Sequence, residues 1–135
     1  MTVPRYLLDT SMAIEVLRGR RPDLVEPFNR HVDELATSTV VASELFYGAA
    51  RSAAPDRLRR QVEWMLGLLP VLDFDRAAAA HAADVRAELA AAGTPIGGYD
   101  VLIAGHARSR GLVVVTANTR EFARVAGLRQ TGWAS

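Results

Sequence analysis

The stretch TPIGGYDVLIAGHA, residues 94–107, places a single carboxylate, Asp100, at the start of an otherwise apolar helix. Its proline and paired glycines predict a turn, and the composition of residues 99–110 predicts a helix that ends at Gly111. In the first helical turn, an acid is stabilised by the helix dipole and the free amides by about 0.3–1 kcal/mol, which is ordinary helix chemistry. A functional role for Asp100 therefore depends on other carboxylates at comparable positions in the chain.

Segments on both sides of this stretch alternate between strand and helix signals. Residues 112–116 form a β-branched apolar run, which is typical of a strand buried on both faces. Further strands are predicted at residues 5–8, 35–38, 71–74 and 128–133. Helices are predicted at residues 13–18, 24–32, 40–51, 57–69 and 76–92, with a short helical turn running through Val125. This alternation predicts a three-layer α/β/α sandwich with a central, mainly parallel sheet, in a single domain spanning residues 1–135.

Two side chains are placed to start helices. Thr39 precedes the helix predicted at residues 40–51, and Asp75 precedes the helix predicted at residues 76–92. A side-chain oxygen at this position accepts a hydrogen bond from the free amides of the first turn. We therefore expect both residues to act as N-caps.

The composition excludes several classes of chemistry. The 16 basic residues nearly balance 15 acidic ones, so the net charge of +1 is no signature of a polyelectrolyte partner. Every basic residue is an arginine, which excludes Schiff-base lysines and Walker-type phosphate loops. The absence of cysteine excludes disulfides, thiol catalysis and thiolate metal sites. Any recognition of a charged ligand must therefore come from local patches of side chains.

The N-terminal region and the apolar runs of the sequence indicate the cellular compartment of the protein. Residues 1–8 lack the long apolar core of a signal peptide, and no apolar run approaches the roughly 20 residues of a membrane span. We therefore expect a soluble, cytoplasmic protein with no membrane partner.

Three acids and one amide lie where predicted strands end or helices begin. Asp9 and Asn118 directly follow apolar strands, whereas Glu44 and Asp100 lie near helix starts. Ligands of parallel sheets bind beyond the carboxyl ends of the strands, so these four side chains are expected to converge. Oxygen ligands without histidine or cysteine are those that Mg²⁺ or Mn²⁺ prefers. Such ions position and polarise phosphodiesters, so the pattern indicates phosphodiester hydrolysis.

Four blocks of sequence carry a resemblance to a known family. They are DTS at 9–11, SELFYGA at 43–49, PIGGYDVLIA at 95–104 and TANTREF at 116–122. Together they resemble the PIN-domain nucleases and, more narrowly, the VapC toxins of type II toxin–antitoxin systems. The resemblance implies a Mg²⁺-dependent endoribonuclease that a VapB-type antitoxin inhibits. It also implies a homodimer and a higher toxin–antitoxin complex.

The resemblance assigns roles to single residues. It implies metal ligation by Asp9, Asp100 and Glu44, and pocket support from the hydroxyl groups of Thr10 and Thr116. This chain departs from many PIN nucleases at position 118, where an asparagine stands in place of a fourth aspartate. Its amide oxygen can bind a cation but adds no charge. The resemblance therefore favours one tightly bound Mg²⁺ ion, with room for a second that arrives with RNA, over two permanently bound ions. Glu121 is either the replacement carboxylate or an acid exposed in a helix's first turn.

The expected reaction is cleavage of RNA by metal-activated water, leaving a 3′-hydroxyl and a 5′-phosphate. One alternative is a catalytically inert PIN-like module that binds RNA or a partner without cutting. A receiver-like signalling domain is a second alternative, and the absence of lysine counts against it.

The helix predicted at residues 57–69 has an apolar face that is either ordinary core or a groove for an antitoxin helix. Trp64 is the residue there that we expect to contact a partner. The three histidines lack the spacing of a zinc site.

Overall fold

The computed structural model describes residues 3–133. The strands are β1 (Tyr6–Leu8), β2 (Leu35–Ser38), β3 (Val71–Leu72), β4 (Val113–Val115) and β5 (Gln130–Thr131). The helices are α1 (Thr10–Arg18), α2 (Pro22–His31), α3 (Thr39–Ala50), α4 (Pro55–Leu68), α5 (Arg76–Ala91), α6 (Gly98–Arg110) and α7 (Thr119–Phe122). A single 3₁₀ turn, Val32–Glu34, joins α2 to β2.

The five strands form one sheet in the order β3-β2-β1-β4-β5, and all four pairings are parallel. The chain builds outward from β1 through β2 to β3, then returns to the other side of β1 with β4 and β5. The predicted sandwich with a mainly parallel sheet is confirmed, and the sheet is in fact wholly parallel. In such a sheet the point where the strand order reverses, between β1 and β4, is where ligands bind.

The core lies on the central strands and the helices packed against them. Leu7, Leu8, Val114 and Val115 are at most 1% exposed, which explains why these strands lack the polar alternation of a sheet with one wet face. The helix pairs in closest contact are α3 with α4 and α5 with α6, and α1 packs against α2, α3 and α4.

Helix α6 is held very close to α5. A Cβ atom added at Gly105 would lie 2.4 Å from the Cα and backbone N of Ala82, so only glycine fits there. Near the end of α6, the guanidinium group of Arg108 donates to Glu88 at 3.1 Å and to His81 at 3.2 Å. These contacts fix the position of α6 and therefore of Asp100 in its first turn.

Some predicted boundaries and one predicted cap are wrong in detail. Thr39 is the first residue of α3, and Ser38 is the N-cap, with its hydroxyl oxygen accepting from the Val40 amide at 3.1 Å. Asp75 does cap α5, accepting from the Ala78 amide at 2.9 Å. The strand predicted at 71–74 pairs only over Val71–Leu72, because the Phe74 amide instead donates to the Thr39 hydroxyl. The last strand is likewise shorter than predicted.

No helix within residues 3–133 is long and apolar enough to cross a membrane.

Candidate active site

Asp9 is the most deeply buried acid at the carboxyl end of the sheet. It follows β1, is 1% exposed, and caps α1 by accepting from the Met12 amide at 2.8 Å. The Ser11 hydroxyl donates to the same carboxylate, at 2.9 and 3.0 Å from its two oxygens. Burial raises the pKa of Asp9, while hydrogen bonds from Thr116, Met12 and Ser11 act against that shift. The carboxylate is therefore held rigidly in a pocket with little water to screen its charge.

Ser11 also ties the loop after β1 to the loop after β4. The Ser11 hydroxyl lies 3.2 Å from the Thr116 hydroxyl, and it also accepts a hydrogen bond from the backbone amide of Ala117 at 3.0 Å. The Thr116 hydroxyl in turn accepts a hydrogen bond from the backbone amide of Asn118 at 2.8 Å. The predicted supporting position of Thr116 thus lies beside Asp9. Ser11 was missed by the sequence analysis, and the only local signal was its place two residues after the capping acid.

Glu44 approaches from α3. It is half-buried, and the Thr10 hydroxyl donates to its Oε1 at 2.5 Å. This contact joins the first residue of α1 to the second turn of α3, so the predicted supporting residue Thr10 lies directly against the predicted acid.

Asp100 lies in the first turn of α6, as expected, and is half-buried. Its pKa is raised to about 7, first by burial, then by a hydrogen bond and the charge of Glu121, and then by the charges of Asp9 and Glu44. Four carboxyl groups therefore interact electrostatically at one place, and we call Asp9, Glu44, Asp100 and Glu121 the acid cluster.

Asn118 and Glu121 form a pair at the edge of the acid cluster. Asn118 is exposed, and its Nδ2 donates to Oε2 of Glu121 at 2.8 Å. The hydrogen bond and charge of Glu121 raise the pKa of Asp100, so Glu121 is an electrostatic neighbour of the predicted metal ligand. The side chain of Asn118 orients Glu121 and makes no hydrogen bond to the other three acids within residues 3–133.

The donor set of the acid cluster fits a hard divalent cation. Its side-chain donors are oxygens, and neighbouring carboxylates repel one another unless protons or a cation neutralise them. Within residues 3–133, no three acidic or histidine side chains stand at the spacing of a preformed metal site. Asp9, Glu44, Asp100 and Glu121 are the residues that could hold Mg²⁺ or Mn²⁺.

The histidines are engaged elsewhere. His106 is buried and its Nδ1 lies 2.8 Å from the Ser38 hydroxyl, while His31 pairs with Glu34 and His81 accepts from Arg108. None takes part in the acid cluster.

A groove of about 460 Å³ runs beside the acid cluster between α1, α3 and α4. Its apolar wall includes Ile14, Leu17, Leu45, Leu58 and Val62, and its polar lining includes Glu44, Arg18, Arg20 and Arg57. Trp64, 59% exposed, lines an adjoining depression with Arg57 and Arg60. We call the first of these, the groove between α1, α3 and α4, the α1/α4 groove, and Trp64 lies beside it.

Known proteins that are similar to this chain identify its family. The PIN domain family matches residues 6–128. The chain is similar to the tRNA(fMet)-specific endonuclease VapC of Salmonella typhimurium, at 46% identity, and to that of Shigella flexneri, at 45% identity. Each alignment covers 96% of this chain and 98% of the relative.

The crystal structure of DNA-bound VapBC from Salmonella typhimurium contains a chain that superimposes with a TM-score of 0.92. That chain is 45% identical, and the match covers 96% of this chain and 98% of the other. The chain described here belongs to the PIN-domain family.

Proposed function

We propose that this protein is the toxin of a type II toxin–antitoxin system and acts as a Mg²⁺-dependent endoribonuclease. The observation that carries the proposal is the acid cluster, where residues far apart in sequence bring four interacting carboxyl groups to the carboxyl ends of β1 and β4. Relatives at 40–46% identity that are named VapC ribonucleases support it.

In this proposal Asp9, Glu44 and Asp100 hold the cation, and Glu121 supplies the fourth carboxylate. When bound, Mg²⁺ offsets the charge that develops on the phosphate and makes a water molecule a better nucleophile. Mn²⁺ is the alternative ion. The chain's own contribution is a fixed set of oxygen donors in a site where burial limits screening.

The hydroxyl groups around the acid cluster fix the carboxylates before substrate arrives. Thr10 holds Glu44, while Ser11 and Thr116 hold Asp9. Such supporting hydrogen bonds orient metal ligands, and their loss typically costs 10–100-fold in metal affinity or activity.

The substrate class is RNA, and tRNA(fMet) is the first substrate to test, because two similar relatives are named for their action on it. We propose the cytoplasm, where tRNA is found, as the location of this activity.

A cleavage assay tests the proposal. Purified protein is incubated with tRNA(fMet) in Mg²⁺, in EDTA, and as the Asp100→Asn variant. We expect cleavage only by the unmodified protein in Mg²⁺. The matched control is Asp84→Asn, which removes an exposed carboxylate from α5 and should leave cleavage unchanged. Cleavage that survives both EDTA and Asp100→Asn contradicts the metal mechanism, and a protein that binds RNA without cutting it supports the inert-module alternative.

The α1/α4 groove is the surface to which a VapB-type antitoxin binds in this proposal. It has an apolar wall, it includes Glu44 of the acid cluster, and Trp64 beside it is exposed. An antitoxin segment lying in it would exclude RNA from the acid cluster. The full assembly of this proposal is a toxin homodimer carrying antitoxin, and light scattering measures its mass.

The antitoxin surface is tested by calorimetric titration with a VapB-type antitoxin. We expect Trp64→Ala to weaken binding at least tenfold, since exposed tryptophans at interfaces are frequent hot spots. Val71→Ala, at an exposed strand residue outside the groove, is the control. Equal affinities for Trp64→Ala and the unmodified protein would place the antitoxin elsewhere.

A further inference from the structure

Tyr99 is an exposed aromatic residue next to the acid cluster. Its side chain is 58% exposed in the first turn of α6, immediately before Asp100. Within residues 3–133 it makes no side-chain hydrogen bond and no aromatic or cation–π contact. Isolated exposed apolar residues are common on protein surfaces, so exposure alone does not indicate a role for Tyr99. The evidence for a role is its location relative to the acid cluster.

The face of α6 that carries Tyr99 is turned toward α3. Tyr99 and His106 are seven residues apart, which places them within about 20° of each other around a helix and about two turns apart along it. His106 packs on Ser38, the N-cap of α3. Tyr99 therefore lies on the side of α6 that faces the start of α3, two turns nearer the start of α6 and next in sequence to Asp100.

The backbone before Tyr99 carries no side chains. A Cβ atom added at Gly98 would meet nothing within 4 Å, and one added at Gly97 would lie 3.4 Å from Oδ2 of Asp100. Tyr99 and Asp100 are consecutive residues of this turn, so their side chains project about 100° apart around the helix. A flat ligand can approach the ring while a group attached to it approaches Asp100.

We infer that Tyr99 is a stacking platform for a nucleobase of the RNA next to the phosphate that is cut. This inference rests on the proposed ribonuclease function. Single-stranded RNA is bound with its bases splayed and stacked on aromatic side chains, and such stacking tolerates any base. The platform fixes the register of the strand, and the acid cluster acts on the phosphate beside it.

The competing occupant of Tyr99 is a protein, the antitoxin. RNA is favoured because Tyr99 directly precedes Asp100 of the acid cluster, whereas the apolar α1/α4 groove runs between α1, α3 and α4 and is not lined by Tyr99. Contact between Tyr99 and the antitoxin is therefore one of the results that the test can reveal.

The test measures kcat/KM for four substitutions of Tyr99, on RNA whose cut site has first been mapped. Tyr99→Ala and Tyr99→Leu should each lower kcat/KM about tenfold, mainly through KM, because alanine removes the ring and leucine keeps only apolar bulk. Tyr99→Phe and Tyr99→Trp should retain activity within about threefold, since both keep a stacking face. Thermal unfolding should be unchanged, because the side chain is exposed.

A second readout removes the base from the RNA. An abasic nucleotide beside the cut should lower kcat/KM of the unmodified protein about tenfold at one flanking position and have little further effect in Tyr99→Ala. Full additivity at every flanking position, or equal losses in Tyr99→Phe and Tyr99→Ala, overturns the inference. Unaltered cleavage by Tyr99→Ala with weakened inhibition by antitoxin overturns it in favour of a protein contact.

Failure of the proposed function gives a different result. A protein that does not cut RNA in Mg²⁺ or Mn²⁺ overturns that function, and stacking is then measured by binding of short single-stranded RNA containing 2-aminopurine. Fluorescence quenching that Tyr99→Ala abolishes and Tyr99→Trp retains supports the platform. No quenching by the unmodified protein overturns it.

Discussion

Ser11 is the residue on which the geometry of Asp9 most depends. Its hydroxyl contacts both oxygens of that carboxylate, the hydroxyl of Thr116 and the Ala117 amide, so one side chain joins the loops after β1 and β4. Residue types alone could not predict this link, because Thr116 is 105 residues away and the contact exists only when β1 and β4 are adjacent.

Ser11→Ala should therefore lower cleavage by 10–100-fold while costing only about 1 kcal/mol of stability. Cleavage kinetics and urea unfolding measure the two effects. Ser109→Ala, whose hydroxyl bonds only within α6, is the control and should leave cleavage unchanged. Parallel losses of stability and activity in both variants would show that Ser11 has no special role.

Asn118 illustrates how the position of a residue can be predicted from sequence while its contact cannot. The sequence places a polar group just after a buried strand, which is a local property and was predictable. The direction of its side chain was not, because it depends on the short helix α7 that brings Glu121 within 2.8 Å.

Two substitutions distinguish the role of Asn118 from that of Glu121. Glu121→Gln should reduce cleavage strongly, because it removes a charge from the acid cluster, and Asn118→Ala should reduce it less. The double variant should match Glu121→Gln alone, since Asn118 acts through Glu121. Independent, additive losses would mean that Asn118 contacts the cation or the substrate directly.

His106 couples stability to pH. Burial lowers its pKa, with Asp75 and Asp73 acting against that shift and Arg110 adding to it. Its Nε2 is buried without a hydrogen-bond partner within residues 3–133, so a proton there is poorly accommodated. As the pH falls through the ordinary histidine pKa of about 6.5, the unfolded chain takes up a proton that the folded chain resists.

The free energy of unfolding should therefore fall below pH 6.5, with a contribution from His106 of at most about 1.4 kcal/mol per pH unit. Urea unfolding at several pH values between 7.5 and 5 measures it. His106→Gln keeps a polar group toward Ser38 and should flatten this part of the profile. An identical pH profile in the variant would assign the effect to other groups.

At the scale of elements, the crossing of α5 and α6 decides where Asp100 lies. The alanine-rich composition of α5 was visible in the sequence, but the need for glycine at 105 was not, because only the packed pair reveals the 2.4 Å approach to Ala82. Similarly, the shift of the α3 cap from Thr39 to Ser38 follows from a tertiary contact, in which Thr39 accepts from the Phe74 amide.

Gly105→Ala should destabilise the protein by at least about 2 kcal/mol, because the added methyl group overlaps the backbone of α5. Gly67→Ala is the matched control: its added Cβ would meet nothing within 4 Å, and alanine favours a helix over glycine, so stability should rise by about 0.5–1 kcal/mol. Urea unfolding distinguishes them. A stable Gly105→Ala variant with normal cleavage would show that α6 can move away from α5 without disturbing Asp100.

At the scale of the whole molecule, the parallel sheet is what assembles the acid cluster. The strand and helix pattern was predictable because apolar runs, caps and glycine stops are local signals, and the convergence of acids followed from the rule for parallel sheets. The resemblance to PIN nucleases, confirmed by comparison, narrowed the chemistry. Short-range pattern could not predict how far each strand pairs or which hydroxyl holds which carboxylate.

In the proposed function, the acid cluster binds the divalent cation used to cut RNA. The most direct measurement is a calorimetric titration of the purified protein with Mn²⁺, alongside the Mn²⁺ dependence of its cleavage of tRNA(fMet). We expect saturable binding that Asp9→Asn and Asp100→Asn each weaken at least tenfold, with the same ion dependence in the cleavage rate. Mn²⁺ binding that is unaffected by both substitutions, or cleavage that proceeds without any saturable Mn²⁺ binding, would contradict it.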